Sequence, residues 1–544
     1  MVNPGEGVIP GEGVIPGEGV IAGGIRVRPF GERALLAEVD DLDAVLALHA
    51  RLAATRPPGV VDLVPAAQTV LVVVDPTMLS LASARTWVLS ARTGVAHVAT
   101  PGRTVEIPVV YDGEDLHPLA AELGISVAQL TARHAAADWT VAFTGFAPGF
   151  GYLVSADWPY DVPRRSRPRP RVPAGAVALA GRFSGAYPRS TPGGWQLIGT
   201  TPAVLFDPDA ASPALLQPGD LVRFVPVTGR SSAERPVDAR GASPASRAGG
   251  GIRVLAPGLA ATVQDQGRRG TLASGVAVSG AADRAALRVA NRLVGTAAGA
   301  AGIEITMGGF RAVRDAAASA DDLWFALAGA WGPMRLDGRP LDPYVAYRWP
   351  AGAELEIEGF VHGARAYLAV RGGVAARSLL GSRATDTLAG LGPAPLAAGD
   401  VLAVGGDVVG AVPAVDLRPW TPPAAQLEIT VAPGPRAERF AALTPLFAEV
   451  WTVSTQADRV GIRLDGPALE RTDTSELASE GMLPGAIQVP PDGHPVILGP
   501  DGPVTGGYPV VAVVTDADRD LLGQARPGTR LRFRHAGAAS SGRF

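Results

Sequence analysis

The chain has 544 residues, is 47% hydrophobic and 18% charged, and carries a formal net charge of −4 with a pI near 6.0. That balance gives no reason to expect a nucleic-acid or membrane-surface partner, and the length exceeds what one core organises, so three or four domains are expected. There is no cysteine and no lysine, all 48 basic residues being arginine, which excludes disulfides, thiolate chemistry, a P-loop lysine, a Schiff base and biotin attached to this chain.

No stretch approaches the roughly 18–20 apolar residues of a transmembrane helix, and no secretory signal is visible, so the cytoplasm is the expected location. The 68 glycines and 49 prolines suit a turn-rich β protein better than a helical one. Residues 1–24 repeat Pro-Gly-Glu-Gly-Val-Ile with a period of six. So few short copies make no solenoid core, and a disordered leader is expected. Residues 41–54 read as a helix with Val45, Leu48 and Leu52 on one face, residues 69–74 as a buried strand, and residues 77–92 as a second helix. This βαβ-like pattern predicts a small α/β domain over 25–100.

The next domain, 101–228, opens with the strand 106–111. A helix follows Asp112-Gly-Glu-Asp115, and Ser126-Val-Ala-Gln129 has the form of a capping box for a second helix that carries His134 in its last turn. Strands and turns then dominate: 139–144, 176–180, 195–199, 204–206 and 221–225. Between the first two lies Phe143-Thr-Gly-Phe-Ala-Pro-Gly-Phe-Gly-Tyr-Leu153, where glycines and Pro148 interrupt Phe146, Phe150 and Tyr152. Such a loop either offers backbone N–H groups and ring faces to a small ligand or caps a barrel.

Residues 229–250 are polar, rich in Gly, Pro and Ser, and without periodicity, which marks a linker. A third domain over 251–410 has one clear helix, 281–294, closed by Gly295, with strands at 323–328, 353–357 and 366–370. Proline-rich residues 411–425 separate a fourth domain, 426–536, from it, and 537–544 form a tail. Gln217-Pro-Gly-Asp-Leu-Val-Arg-Phe224 and Arg526-Pro-Gly-Thr-Arg-Leu-Arg-Phe533 share a layout, and Ala398-Gly-Asp-Val-Leu402 keeps part of it. A turn feeding a last strand, used three times, argues for repeated β-barrels.

Several polar groups stand where apolar ones would be expected. Gln264, Asp265 and Arg268 share a Gly-flanked turn, where Asp265 is a candidate base and Arg268 a candidate anion ligand, or the two simply pin the turn. Asp283 and Asn291 lie on the apolar stripe of the 281–294 helix and need partners. Arg459 is the candidate for anion recognition in a second cluster with Asp458, Arg463, Glu480 and Gln488. Beside the aromatic loop, Tyr111, His134, Arg171 and Gln196 are candidates, although a histidine late in a helix also suits the helix dipole. Gly193-Gly194-Trp195 and Gly506-Gly507-Tyr508 are tight turns that bring an aromatic ring with them. No clustered metal-ligand motif is present.

Residues 105–225 resemble the B subunit of 5-oxoprolinase, also described as allophanate hydrolase subunit 1 or a sporulation kinase inhibitor, through Gly145-Phe-Ala-Pro-Gly-Phe-Gly-Tyr-Leu153, Arg171-Val-Pro-Ala-Gly175 and Ser190-Thr-Pro-Gly-Gly-Trp-Gln-Leu-Ile-Gly199. Residues 251–534 resemble the C subunit of the same enzyme, from a biotin-dependent carboxyltransferase-like family. There the matching pieces are Thr262-Val-Gln-Asp-Gln-Gly-Arg268, Ser279-Gly-Ala-Ala-Asp283, Ala290-Asn-Arg-Leu-Val-Gly295, Leu380-Gly-Ser-Arg-Ala-Thr-Asp386, Ala457-Asp-Arg-Val-Gly-Ile-Arg-Leu464 and Gly485-Ala-Ile-Gln-Val-Pro490. The chain departs from the family pattern at Ala282, Ala457 and Val460, and in the shortened polar run Asp501-Gly-Pro-Val-Thr505.

The resemblance implies a B–C fusion of α+β, mainly β class, with the small N-terminal α/β domain followed by three cyclophilin-like β-barrel domains. It also implies ATP-dependent opening of 5-oxo-L-proline to L-glutamate, using ATP with Mg2+ at the level of a complex with a separate A-type subunit. Homo-oligomers are compatible with it. Asp265, Asp283, Glu480 and His134 are then the candidate catalytic groups. Gln264, Arg268, Asn291, Arg459, Gln488, Tyr508, Tyr111, Phe146, Phe150, Tyr152, Arg171 and Gln196 are candidate ligand contacts. The same modules form the carboxyltransferase domain of urea amidolyase, with biotin arriving on another protein, and the kinase-inhibitor name leaves a regulatory binding protein as a third reading.

Overall fold

The computed structural model describes residues 21–22, 24–91, 102–229, 251–315, 323–414 and 420–537. Residues 1–20 and 23 of the expected leader 1–24, residues 230–250 of the linker 229–250 and residues 538–544 of the tail 537–544 lie outside the described residues; Ile21–Ala22, expected in the leader, instead form a strand pairing with Ile25 and Arg26.

The N-terminal sheet runs in the spatial order Ile21–Ala22, Ile25–Phe30, Ala34–Glu38, Thr69–Val74, Val60–Pro65, and every pair is antiparallel. A βαβ unit would have made neighbours parallel. Only Ala66, Ala67 and Gln68 separate the last two strands in sequence, too few for a parallel crossover, so they close as a hairpin. Two helices cover one face: Leu42–Ala54, capped by Asp41 accepting from the Ala44 N–H at 2.8 Å, and Leu81–Ser90, capped by Ser80.

From Val70 to Val74 the strand Thr69–Val74 is apolar because both of its faces are covered. Val70, Val72 and Val74 pack with Val45, Leu48 and Leu52 of the first helix. Leu71, with Phe30, Leu36 and Val64, packs instead against Met482, Leu498, Val504 and Val513 of the last domain. The small domain is therefore sandwiched between its own helices and the far end of the chain, and the Gly31 N–H donates to Pro433 O at 3.0 Å.

The second domain is one seven-stranded sheet in the order Gln196–Thr200, Ala176–Ala180, Phe183–Ala186, Gly151–Val154, Trp139–Thr144, Leu221–Pro226, Thr104–Val109. Reciprocal 2.8 Å hydrogen bonds between Val110 and Thr200 join its two edges, curling the sheet on itself. Helix Val127–Ala136 starts with both bonds of the Ser126/Gln129 capping box. Residues 204–206 form no strand; Phe206 makes a single bridge to Ala214.

Two sheets, of seven and five strands, build the third domain rather than one continuous barrel. Their inner faces share one core containing Val254, Ile303, Phe310, Phe325, Leu355 and Leu368. The last domain is a closed seven-stranded barrel. Glycines of the shared turn, Gly219, Gly399 and Gly528, have φ of 90°, 95° and 85°, which a side chain disfavours. In two domains the strand after that turn pairs in parallel with the domain's first strand: Leu221–Pro226 with Thr104–Val109, and Arg530–His535 with Gln426–Pro433. In the third domain Val401–Val404 pairs antiparallel with Ile252–Pro257, because that sheet is not closed in the same way. The expected linker 411–425 is pinned at Trp420, whose indole N–H donates to Gly329 O at 3.1 Å while its ring packs on Trp331. Among the described residues no helix is long and apolar enough to cross a membrane.

Candidate functional site

The short two-stranded sheet Glu480–Gly481 with Thr505–Gly506 lies where three domains meet. On one side is the N-terminal domain: a Cβ on Gly481 would stand 2.7 Å from Leu71. On the other is the aromatic loop of the second domain. A Cβ on Gly145 would stand 2.2 Å from Thr505 Oγ1, so glycine is what lets the two halves approach. Phe146 takes a left-handed φ of 64°, a strained choice for an aromatic residue, and its N–H donates to Thr505 Oγ1 at 3.0 Å.

The expectation that this loop offers free N–H groups to a ligand is corrected here. Gly145, Ala147 and Phe150 donate within the loop, Phe146 to Thr505, and Gly149 to Ser274 O at 3.1 Å, while Thr144 donates to Ala273 O. Ring faces are mostly spent as well. Phe150 is buried against Phe146, Tyr152, Tyr187 and Trp195, and burial pushes the Tyr152 hydroxyl up to about 12. Phe146 alone keeps a substantial exposed face, 38%, and Tyr508 across the seam is 43% exposed. The loop is first a joint between the halves, and only its tip is available to a ligand.

Next to the joint, Glu480 is 2% exposed and accepts from Arg436 Nε at 2.9 Å and from Arg436 Nη2. Arg436 also pairs with Glu38 of the N-terminal domain, which Arg28 engages at 2.7 Å. Burial lifts Glu480 above the usual carboxylate range despite Arg436, and Glu38 adds to the rise. An open cavity of about 460 Å³ adjoins these groups, lined by Arg26, Glu38, Gln68, Thr69, Arg436 and Glu480 among others. Gln488 is a near neighbour, its Oε1 lying 3.9 Å from where a Gly506 Cβ would be. Glu480, Gln488 and Phe146 thus gather around the strand Thr505–Gly506.

Arg459 does not join them. Its Nε and Nη2 each donate to Asp501 at 2.9 Å, Nη1 donates to Glu304 at 2.6 Å and Nη2 also to Gly280 O at 2.7 Å. Expected to recognise an anion, it already has two. Burial disfavours its charge, but Asp501 and Glu304 more than restore it, and Arg459 with Arg365 holds buried Glu304 below its usual range. Ser279 and Thr387 donate to Asp501 as well. This network ties the third domain to the fourth. Glu304 and Asp501 were not singled out from sequence; the available signal was one acid in the apolar strand Gly302–Thr306 and one aspartate beside a buried turn.

His134 is likewise corrected. It is completely buried, with Nδ1 2.7 Å from Tyr111 Oη, Nε2 2.8 Å from Ser184 Oγ and its ring against Phe224, Trp139 and Trp158. Burial lowers its pKa to about 3, so it is a neutral core group with Tyr111 as partner. Asp265 accepts from the Gly267 N–H, the Ser382 hydroxyl and the Arg383 N–H at 2.6–2.8 Å, pinning its turn. Gln264 donates to Thr262 and Thr385, and Asn291 to Ala300 O at 2.8 Å. Arg268 is 1% exposed and donates to Ala384 O at 2.6 Å. Arg171 donates to Ser190 and Gln196 to Pro163 O.

Asp283 caps the helix Arg284–Leu293, accepting from the Ala286 N–H at 2.8 Å, and also accepts from Gln524 at 2.7 Å. Burial raises its pKa to about 6, with Asp520 and Glu304 adding to the effect. Of the four expected catalytic groups, Asp283 has its pKa raised to about 6, Glu480 is raised by burial but has both oxygens on Arg436, and Asp265 and His134 are built into the framework.

The carboxyltransferase domain family matches this chain twice: its subdomains C and D over residues 25–216, and its subdomains A and B over residues 274–535. The C subunit of 5-oxoprolinase from Escherichia coli K12 is 37% identical over 291 residues, 52% of this chain and 90% of that protein. The chain belongs to the family of carboxyltransferase-domain proteins that includes the B and C subunits of 5-oxoprolinase. The B subunit of 5-oxoprolinase from Escherichia coli O157:H7 is 51% identical over 127 residues, 23% of this chain; the match spans only 58% of that protein. Urea amidolyase of Lachancea kluyveri is 32% identical over 313 residues, 52% of this chain but 17% of that enzyme. Among solved structures, TTHA0988 superposes with a TM-score of 0.81 at 36% identity, covering 92% of this chain and 99% of that one. The two halves thus occur together in that structure as well.

Proposed function

We propose that this chain supplies, in one polypeptide, the parts played by the B and C subunits of an ATP-dependent 5-oxoprolinase. With a separate A-type protein it opens 5-oxo-L-proline to L-glutamate in the cytoplasm. The observation that carries this reading is that relatives of both subunits match one chain whose halves are interlocked at the Gly145–Thr505 contact. An unstrained lactam needs its carbonyl activated before water attacks it, and phosphorylation of the amide oxygen by ATP with Mg2+ supplies that activation. Around such a step this chain contributes the exposed faces of Phe146 and Tyr508, and Asp283 as a carboxyl whose pKa is raised to about 6. The Mg2+ enters this reading with the nucleotide, at the level of the complex.

A second reading, carboxyl transfer from biotin on another protein to urea or a related amide, is supported by the urea amidolyase relative. The experiment that separates them mixes the purified chain with an A-type partner, 5-oxoproline and MgATP, and follows glutamate and ADP. Glutamate formed only when both proteins are present supports the proposal. Neither glutamate nor ADP, with a partner shown to be active in its own complex, overturns it and directs the assay to carboxyl-biotin and urea.

A further inference from the structure

A second cavity, of about 340 Å³, lies between the N-terminal, third and fourth domains, within the lower range of small-molecule sites. Part of its lining is apolar, formed by Phe30, Val278, Leu483 and Val513. Other parts carry charges that are unevenly satisfied. Asp516 Oδ1 is approached by Arg33 Nη1 at 2.8 Å, Arg284 Nη1 at 2.8 Å and Arg519 Nη1 at 3.3 Å. Arg284 donates through all three of its nitrogens, since it also reaches Asp520 Oδ1 and Asp516 O. Arg33 and Arg519 reach protein acceptors through Nη1 alone among the described residues, which leaves most of the five N–H groups of each guanidinium unused.

The acidic groups of the lining are more fully engaged. Asp62 accepts from the Leu272 and Ala273 N–H groups, and Glu32 from the Asp516 N–H at 2.6 Å. Asp75, paired with Thr77, stands 3.9 Å from Arg269. Burial, with the neighbouring Arg284, lowers the Arg519 pKa to about 10 against the opposing effect of Asp516 and Asp520. A lining with under-used guanidiniums at Arg33, Arg269 and Arg519, carboxylates nearby and apolar side chains suits a molecule with one carboxylate, an N–H donor and a small hydrocarbon body.

We propose that this three-domain cavity binds a small amino-acid-type carboxylate, its carboxylate held by Arg33 and Arg519 and its N–H directed to the acidic groups of the lining. The choice of 5-oxoproline and L-glutamate as probes rests on the proposed function; the chemistry of the cavity does not. The test is isothermal titration of the full chain, without any partner, with 5-oxoproline, L-glutamate and inorganic phosphate. Two variants accompany it: Arg519→Gln, which removes a ligand, and Ala517→Trp, which places a bulky side chain at an exposed lining residue.

Saturable binding of 5-oxoproline or glutamate, weakened at least tenfold in both variants, is the expected result. If Arg519→Gln does not fold by circular dichroism, Ala517→Trp alone decides. Absence of saturable binding by either acid, unchanged affinity in Ala517→Trp, or phosphate binding as tightly as the acids overturns the proposal. Glutamate production by the complex with the A-type partner that is undisturbed in Ala517→Trp overturns a catalytic use of this site while leaving the proposed function standing.

Discussion

Arg459 and Arg519 sit in the same barrel and end in opposite circumstances. Arg459 has two carboxylates and a carbonyl within 2.9 Å and is 8% exposed; its charge is consumed in joining the third domain to the fourth. Arg519 shares one carboxylate oxygen with two other guanidiniums beside an open cavity. The type of residue is the same, and what separates framework from candidate binding group is the number of N–H donors already satisfied and the space in front of the rest. A buried cation that is fully paired is costly to disturb, whereas one with spare donors can accept a ligand.

The largest expected effect lies on the framework side. Arg459→Ala leaves Glu304 and Asp501 buried without their cation and should cost roughly 3–5 kcal/mol of stability, measured by urea denaturation. A loss below about 1 kcal/mol would show that the network is not the brace described here. Gly145→Ala tests the seam between halves. Its Cβ would overlap Thr505 Oγ1, and a loss of about 1–3 kcal/mol is expected. Thr505→Gly in the same chain should recover part of that loss, and additive effects in the double-mutant cycle would refute the contact.

His134 sharpens the comparison through pH. With a native pKa of about 3 and an unfolded value near 6.5, the unfolded state binds the proton first as pH falls. The contribution of His134 is therefore complete above pH 6.5 and lost progressively below it, by about 1.4 kcal/mol per pH unit at most. Denaturation midpoints measured between pH 5 and 7 should fall in this way, and His134→Gln should flatten the slope. An unflattened slope would mean that the ring is accessible to protons in the native state. Smallest is Glu476→Gln, which breaks the exposed pair with Arg164 at 3.8 Å across the seam. Less than about 0.5 kcal/mol is expected in the same urea assay, and a larger loss would move the joint toward this surface pair.

Much of the secondary structure was legible because its causes are local. The strand Ala176–Ala180 and the Ser126/Gln129 capping box stand where the sequence put them, and the Pro-Gly turns precede Leu221–Pro226 and Arg530–His535. Strand direction was not legible in the N-terminal domain, where the short 66–68 connection, more than the helices, decided an antiparallel sheet. Nor was pairing between distant side chains. Arg459 and Glu304 are 155 positions apart, and Phe146 and Thr505 are 359 apart. Arg459, Glu480 and Gln488 read as one cluster by proximity in sequence, yet Glu480 faces the N-terminal domain and Arg459 the third.

By itself the sequence determined the run of strands, the helix caps, the turn glycines, the absence of lysine and cysteine chemistry, and the motifs of the two family halves, since each depends on residue identity and short spacing. Only the tertiary structure decided which polar groups are already satisfied. It spent the N–H groups of the aromatic loop on joining the halves, buried His134 as a neutral ring, and left Arg519 with donors and space. The physical reason is that hydrogen-bond satisfaction and desolvation are set by whatever approaches within about 3 Å, and in this chain those neighbours come from hundreds of residues away.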